Sequence, residues 1–135
     1  MPYEKTLSIQ DFNYDELSVI IKEWGYPNFR VYQVYIAAFQ NKDYDNMTNL
    51  PKDLREKLQK RYFATAVTII QTLTSKDGTE KYLFKLNDGN IIEGVFMPHS
   101  YGNTLCVSTQ VGCRMNCSFC ASGLGGLVRN LTSGE

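Results

Sequence analysis

Three cysteines spaced C-x3-C-x2-C are the residues of this chain whose types and spacing point most directly to chemistry. They are Cys113, Cys117 and Cys120, which lie within eight residues of sequence. An iron–sulfur cluster held by three cysteines keeps one iron free for a non-protein ligand, whereas a structural zinc site normally takes four protein ligands. The spacing therefore favours an open iron–sulfur cluster over the alternatives, a zinc site completed by Cys106 or His99, or a disulfide.

The composition is that of an ordinary globular chain. Its 135 residues are 43% hydrophobic and 21% charged, with a formal net charge of +0, so contact with nucleic acid has to come from a local cluster of charge. No apolar run approaches the about 20 residues of a membrane span, and no basic-then-apolar leader opens the chain. All four cysteines lie between residues 106 and 120, which suits a reducing compartment. We therefore expect a cytoplasmic protein without membrane contact.

Residues 1–62 show helical periodicity and predict a domain of three helices. The first helix follows a capping box made by Asn13 and Glu16. The second begins near Asn28, and the third has Pro51 in its first turn.

The third helix is locally basic, with five basic and two acidic residues and a net charge of +3. This excess has two interpretations, a solvated helix face or a surface that docks RNA. The basic residues are Lys52, Arg55, Lys57, Lys60 and Arg61.

From residue 63 onward the pattern changes to β-structure. Turn signals at Asp77-Gly78 and at residues 87–90 separate three strands, and Pro98 is predicted to end the third. We therefore predict a three-strand antiparallel meander.

A further strand, residues 104–109, leads directly into the cysteine loop. Parallel α/β barrels place their chemistry at the carboxyl ends of such strands. A closed barrel needs about 200 residues or more, so we expect this chain to be the N-terminal part of a longer enzyme.

The run from Leu105 to Cys113, continued by residues 120–131, resembles the dual-specificity RNA methyltransferases of the radical S-adenosylmethionine superfamily. Stretches at 47–55, 77–79 and 92–95 agree, so the similarity covers nearly the whole chain. Members of this family make 2-methyladenosine in large-subunit (23S) ribosomal RNA and in some transfer RNAs.

The implied fold class is α+β. A helical accessory domain that docks RNA would occupy residues 1–62, and a β meander with linking strands would occupy 63–98. The first strand and cluster loop of an incomplete radical S-adenosylmethionine barrel would occupy 99–135.

The resemblance also implies a cofactor site. Cys113, Cys117 and Cys120 would ligate a 4Fe–4S cluster, and Phe119 would lie near S-adenosylmethionine. An electron donor would have to reduce the cluster.

Two further residues receive roles by resemblance. Cys106 matches the family's non-ligand cysteine, which resolves a covalent protein–RNA adduct by forming a disulfide, and Glu93 matches the position of the proton acceptor. The cysteine that carries the methyl group lies near the family's C-terminus, outside these 135 residues, so the chain alone is not expected to turn over.

Other interpretations remain open at this point. Without the resemblance, Cys106 is interpreted as a packed core thiol and Glu93 as a solvent-facing strand residue. The enzyme alternatives are an adenine-C8 ribosomal RNA methyltransferase or another radical enzyme. The non-enzyme alternative is an RNA-binding module whose cysteines hold zinc.

Overall fold

The computed structural model describes residues 5–135, so the first four residues of the predicted helical domain lie outside it. The chain divides into two compact units. One runs up to Ala66 and includes Thr132–Glu135, and the other is Val67–Leu131. None of the helices in the described part of the chain has the length and apolar character that a membrane span requires.

The first unit is helical, as predicted. Asn13 and Glu16 form the expected capping box, in which each side chain accepts a backbone N–H of the other residue at 2.9 Å. Gly25, at φ +82°, ends the first helix by donating its N–H to the carbonyl of Lys22 at 2.9 Å. The elements are α1 (Tyr14–Glu23), α2 (Asn28–Ala38) and α3 (Lys52–Arg61), with 3₁₀ turns at Ile9–Asp11 and Tyr44–Asn46.

The core of this unit is formed by apolar residues at helical spacing. Leu17 and Ile21 of α1 and Leu54 and Leu58 of α3 are fully buried. Each such side chain contributes about 1.5–3 kcal/mol through the hydrophobic effect. The same cluster includes Val31, Val34, Ile9 and Met47, and its packing rather than helix propensity holds the short helices in place.

The second unit contains an antiparallel sheet of four strands in the order β1-β2-β3-β4. Its strands are β1 (Val67–Thr74), β2 (Glu80–Leu86), β3 (Ile91–His99) and β4 (Gly102–Val107). The predicted meander is therefore present but has one strand more than the sequence suggested. The predicted strand at 104–109 is β4, which begins and ends two residues earlier.

Pro98 does not end the third strand, which continues to His99, with Pro98 opposite Asn103 of β4. Pairing with β2 stops at Phe96, so at Pro98 the strand has a neighbour on one side only. A residue without an N–H is tolerated where half of the ladder is missing. The chain then turns back through Gly102, at φ +135°, and β4 forms.

The strand predicted at 104–109, β4, pairs antiparallel with β3 and belongs to this sheet. Two short strands follow it, β5 (Gln110–Gly112) and β6 (Leu127–Asn130), and they also pair antiparallel. All pairings between these six strands of the described chain are antiparallel, so the barrel part of the predicted fold stays a prediction.

Candidate functional site

The cysteine loop is closed at its neck by β5 and β6. Cys113 follows β5 directly, and its N–H donates to the carbonyl of Gly126 at 3.2 Å, just before β6 begins. Opposite Gly112 lies Leu127, and opposite Val111 lies Arg129. The two ends of the loop are thereby held together, and the thirteen residues 113–125 between them form a compact surface loop.

Backbone segments approach each other so closely in this loop that side chains are excluded at two glycines. A Cβ on Gly112, which has φ +75°, would lie 1.9 Å from the carbonyl oxygen of Gly126. A Cβ on Gly123 would lie 2.9 Å from the Cα of Asn116, itself at φ +50°. The loop is therefore shaped by backbone packing at both its neck and its middle.

The three loop cysteines are free thiols, with Cys117 exposed and the other two half-buried. The backbone N–H of Met115 donates to the sulfur of Cys113 at 3.4 Å. A hydrogen bond from the Ser122 side chain, together with backbone N–H groups, lowers the pKa of the Cys120 thiol. Because the thiolate is the form that binds metal, these donors suit a set of iron ligands.

The chemistry of these donors fits a cluster, but no preformed three-ligand arrangement is present. Within residues 5–135 no three His, Cys, Asp or Glu side chains are grouped so that they could hold a metal ion. The assignment of Cys113, Cys117 and Cys120 as cluster ligands thus stays a prediction. Phe119, predicted to lie near the cofactor, is 90% exposed on the loop.

Glu93 and Cys106 lie on the same face of the four-stranded sheet. Cys106 of β4 is directly opposite Val95 of β3, and Glu93 is two residues from Val95 along β3. Side chains alternate between faces with period two, so Glu93 and Cys106 are diagonal neighbours, about 7–8 Å apart. Cys106 is exposed and is therefore not a buried core thiol in this structure.

Glu93 has partners on both neighbouring strands. Its Oε1 lies 2.9 Å from the Nζ of Lys81 on β2. Its backbone carbonyl accepts a 2.7 Å hydrogen bond from the hydroxyl of Ser108, just after β4. Neither partner was identified from the sequence, because recognising either requires the register of the sheet.

An open cavity of about 660 Å³ connects the sheet face to the cysteine loop. Glu93 and Ser108 line it from the sheet, and Cys113 and Ser122 line it from the loop. A carboxylate and one of the predicted cluster ligands therefore face the same space. Cys106, Cys117 and Phe119 are not among the lining residues.

The basic residues of α3 have different surroundings. Arg55 is half-buried, and its Nη1 donates to the carbonyls of Tyr44 and Asp45, each at 3.3 Å. Lys52 forms an exposed ion pair with Glu56 at 3.9 Å.

Two other α3 cations lie over aromatic rings. The Nζ of Lys57 is 5.0 Å from the ring centre of Tyr26, and the guanidinium of Arg61 is 5.3 Å from that of Trp24. Lys60 is exposed. Four of the five basic residues thus present their charge to solvent, and the fifth holds the preceding turn.

Comparison with known proteins gives one consistent result. A family model described as the N-terminal domain of ribosomal RNA large subunit methyltransferases matches residues 7–63. The "Probable dual-specificity RNA methyltransferase RlmN" of Halalkalibacterium halodurans is 49% identical over 130 residues, which is 95% of this chain. The protein of the same name from Bacillus subtilis is 48% identical over 130 residues. Over nearly its whole length the chain is thus similar to dual-specificity RNA methyltransferases.

The chain spans about a third of the length of the curated relatives it matches, 36% in both of these cases. A solved structure is also similar over nearly the whole chain. The crystal structure of a radical SAM methyltransferase from Sphaerobacter thermophilus superimposes with a TM-score of 0.85 at 41% identity. The match covers 96% of this chain and 39% of that one.

Proposed function

We propose that this chain is the N-terminal part of a radical S-adenosylmethionine methyltransferase that forms 2-methyladenosine in 23S ribosomal RNA and in some transfer RNAs. One observation carries the proposal beyond sequence similarity. An exposed thiol, Cys106, and an ion-paired carboxylate, Glu93, share a sheet face, and the strand bearing the thiol runs on toward the cysteine loop. The proposed chemistry requires a base and a non-ligand thiol beside a cluster.

Cys113, Cys117 and Cys120 would hold the 4Fe–4S cluster, and Phe119 would contact S-adenosylmethionine. When bound, the cluster and S-adenosylmethionine supply the radical chemistry that a carbon without an acidic hydrogen requires. The fixed neck between β5 and β6 holds the two ends of the ligand loop together. We also propose that an external electron donor reduces the cluster and that the protein works in the reducing cytoplasm.

Glu93 and Cys106 have separate tasks in this proposal. The Glu93 carboxylate accepts the proton that leaves the adenine ring of a covalent protein–RNA adduct. The Cys106 thiol, as its thiolate, attacks the sulfur that carries the adduct, so that an S–S bond forms as the S–C bond to the RNA breaks. The released carbon leaves with the electron pair of that bond and takes up a proton to become the methyl group of the RNA. The methyl-carrying cysteine of the family lies outside these 135 residues, so the activity belongs to the whole protein.

The helical unit has a different task, the docking of RNA. The match to the N-terminal domain of ribosomal RNA methyltransferases lies within this unit, and α3 presents Lys52, Lys57, Lys60 and Arg61 to solvent. We leave Arg55 out of the RNA surface because its guanidinium is engaged by Tyr44 and Asp45.

Product analysis tests the proposal. The full-length protein is reduced anaerobically with S-adenosylmethionine and a 23S ribosomal RNA fragment, and the RNA is digested to nucleosides for mass spectrometry. We expect 2-methyladenosine at one position. Formation of 8-methyladenosine would assign the chain to the C8 type, and no methylation by iron-loaded protein would contradict the proposed activity.

A further inference from the structure

Lys81 and Glu93 form a cross-strand ion pair on the sheet face that also carries Cys106. The two atoms, Nζ and Oε1, are 2.9 Å apart, which is the distance of a charge-assisted hydrogen bond. Both side chains are about half exposed, 42% for Lys81 and 56% for Glu93. An exposed pair of this kind adds little to folding stability, so its geometry rather than its contribution to the fold is of interest.

The register of the sheet places this pair next to the thiol. Lys81 is opposite Val95, and Val95 is opposite Cys106, so these three residues form one row across β2, β3 and β4. Glu93 lies in the adjacent row, diagonal to both Lys81 and Cys106. Glu93 on the central strand therefore has Lys81 as its diagonal neighbour on β2 and Cys106 as its diagonal neighbour on β4.

Glu93 is held from both neighbouring strands. Ser108 bonds its backbone carbonyl from the β4 side, while Lys81 holds carboxylate oxygen Oε1 from the β2 side. A glutamate has three rotatable side-chain bonds, and an exposed one samples many rotamers unless a partner selects among them. The ion pair selects one arrangement and leaves Oε2 to take up a proton.

We infer that Lys81 is a positioning residue for the reaction, which holds Glu93 where it can accept the ring proton beside Cys106. The inference rests on the function proposed above. Lys81 exchanges no proton and forms no bond to the substrate, so it adds no chemical step. Its effect is on the fraction of time that the base spends in the productive arrangement.

The test uses the full-length, cluster-loaded protein in single-turnover reactions that follow the RNA-linked adduct and the released RNA. Lys81→Met keeps the aliphatic stem and removes the charge, and we expect release to slow about three- to tenfold. Lys81→Arg restores the ion pair and should recover the rate to within about twofold of the wild type. A purely structural role would not require a positive charge.

Lys85→Met is the matched control. Lys85 lies on the same strand and the same face as Lys81 and is exposed. The residue directly opposite it on β3 is Ile91, which carries no charge. This variant should release RNA at the wild-type rate. The melting temperatures of the two methionine variants show whether Lys81→Met remains folded, and Lys81→Gln provides a second neutral side chain if it does not.

A double-mutant cycle separates the possible outcomes. Glu93→Gln should slow release more than Lys81→Met does, and Lys81→Met should add no further slowing in the Glu93→Gln background. Slow release in Glu93→Gln with normal release in Lys81→Met would overturn the role of Lys81 alone. Normal release in Glu93→Gln would instead overturn the role proposed for Glu93.

RNA affinity gives an independent readout. The dissociation constant for the RNA fragment should be the same in Lys81→Met and in the wild type. Weaker binding by Lys81→Met, with a flatter salt dependence and normal release, would show a phosphate contact and overturn the inference.

Discussion

The four cysteines differ in what surrounds their thiols. Cys106 is an exposed thiol on a regular strand, next to an ion-paired carboxylate. Cys113 and Cys120 are half-buried in the loop and accept hydrogen bonds from the backbone or from Ser122. One thiol thus shares a sheet face with a carboxylate, and two thiols of the loop accept hydrogen bonds, which suits the proposed roles of resolving thiol and metal ligands.

Replacing Cys106 with Ala should block release of the RNA but not formation of the adduct. The missing thiol can no longer attack the sulfur that carries the RNA, so the full-length protein should accumulate a cross-linked species. A gel shift or an added mass that ribonuclease shortens would detect it. Iron content should be unchanged, because Cys106 is not assigned as a ligand. Normal turnover without any adduct would make Cys106 only a strand residue.

At the scale of elements, the loop neck depends on one glycine. Gly112→Ala would place a methyl group 1.9 Å from the carbonyl oxygen of Gly126, at a residue with φ +75°. The strain should force β5 and β6 apart and lower stability by about 1–3 kcal/mol or more. We expect a lower melting temperature and less cluster absorption per protein chain.

Gly125→Ala is the control for this change, because a Cβ there meets no atom within 4 Å and the residue does not adopt a positive φ. It should retain the cluster and the melting temperature. Equal behaviour of the two variants would mean that the neck does not determine the shape of the ligand loop.

The exposed cations of α3 should determine RNA affinity. Changing Lys52, Lys57, Lys60 and Arg61 together to Gln removes four charges that the structure presents to solvent. Each lost phosphate contact should reduce the steepness of the salt dependence by about one. Filter binding of an RNA fragment at several salt concentrations measures this effect.

Arg55→Gln separates RNA docking from folding on the same helix. Its guanidinium holds the carbonyls of Tyr44 and Asp45, so its loss should lower the melting temperature and leave the salt dependence unchanged. If the variant with all four exposed α3 cations changed to Gln binds RNA at low salt with unchanged affinity, α3 is only a solvated face.

At the scale of the whole molecule, the sequence predicts the helix ends and hairpin turns that neighbouring residues determine. The helix of Tyr14–Glu23 begins at a capping box and ends at a glycine, and both signals act within one turn of the chain. The hairpin signals at Asp77-Gly78 and at residues 87–90 likewise located the turns of the sheet. The sequence predicts a meander of three strands because a proline normally ends a strand. In the structure Pro98 lies where β3 has only one neighbour, so β3 continues and pairs with a fourth strand.

The contacts that the sequence does not predict join residues that are far apart along the chain. The turn at residues 87–90 leaves the β2–β3 register uncertain by one residue, and a slip of one would move Glu93 to the opposite face from Lys81. The role of Arg55 depends on carbonyls about ten residues earlier in sequence, which no charge pattern reveals. Residue types and spacing therefore identified the candidate chemical groups, and the sheet register identified their partners.

We propose that the cysteine loop holds an iron–sulfur cluster for RNA methylation. Metal and sulfide analysis of the anaerobically reconstituted full-length protein tests it most directly. We predict about four iron and four sulfide per chain. The visible absorption should be lost when Cys113, Cys117 or Cys120 is changed to Ala and retained in Cys106→Ala. Zinc without sulfide, or a full cluster in Cys117→Ala, would contradict the account.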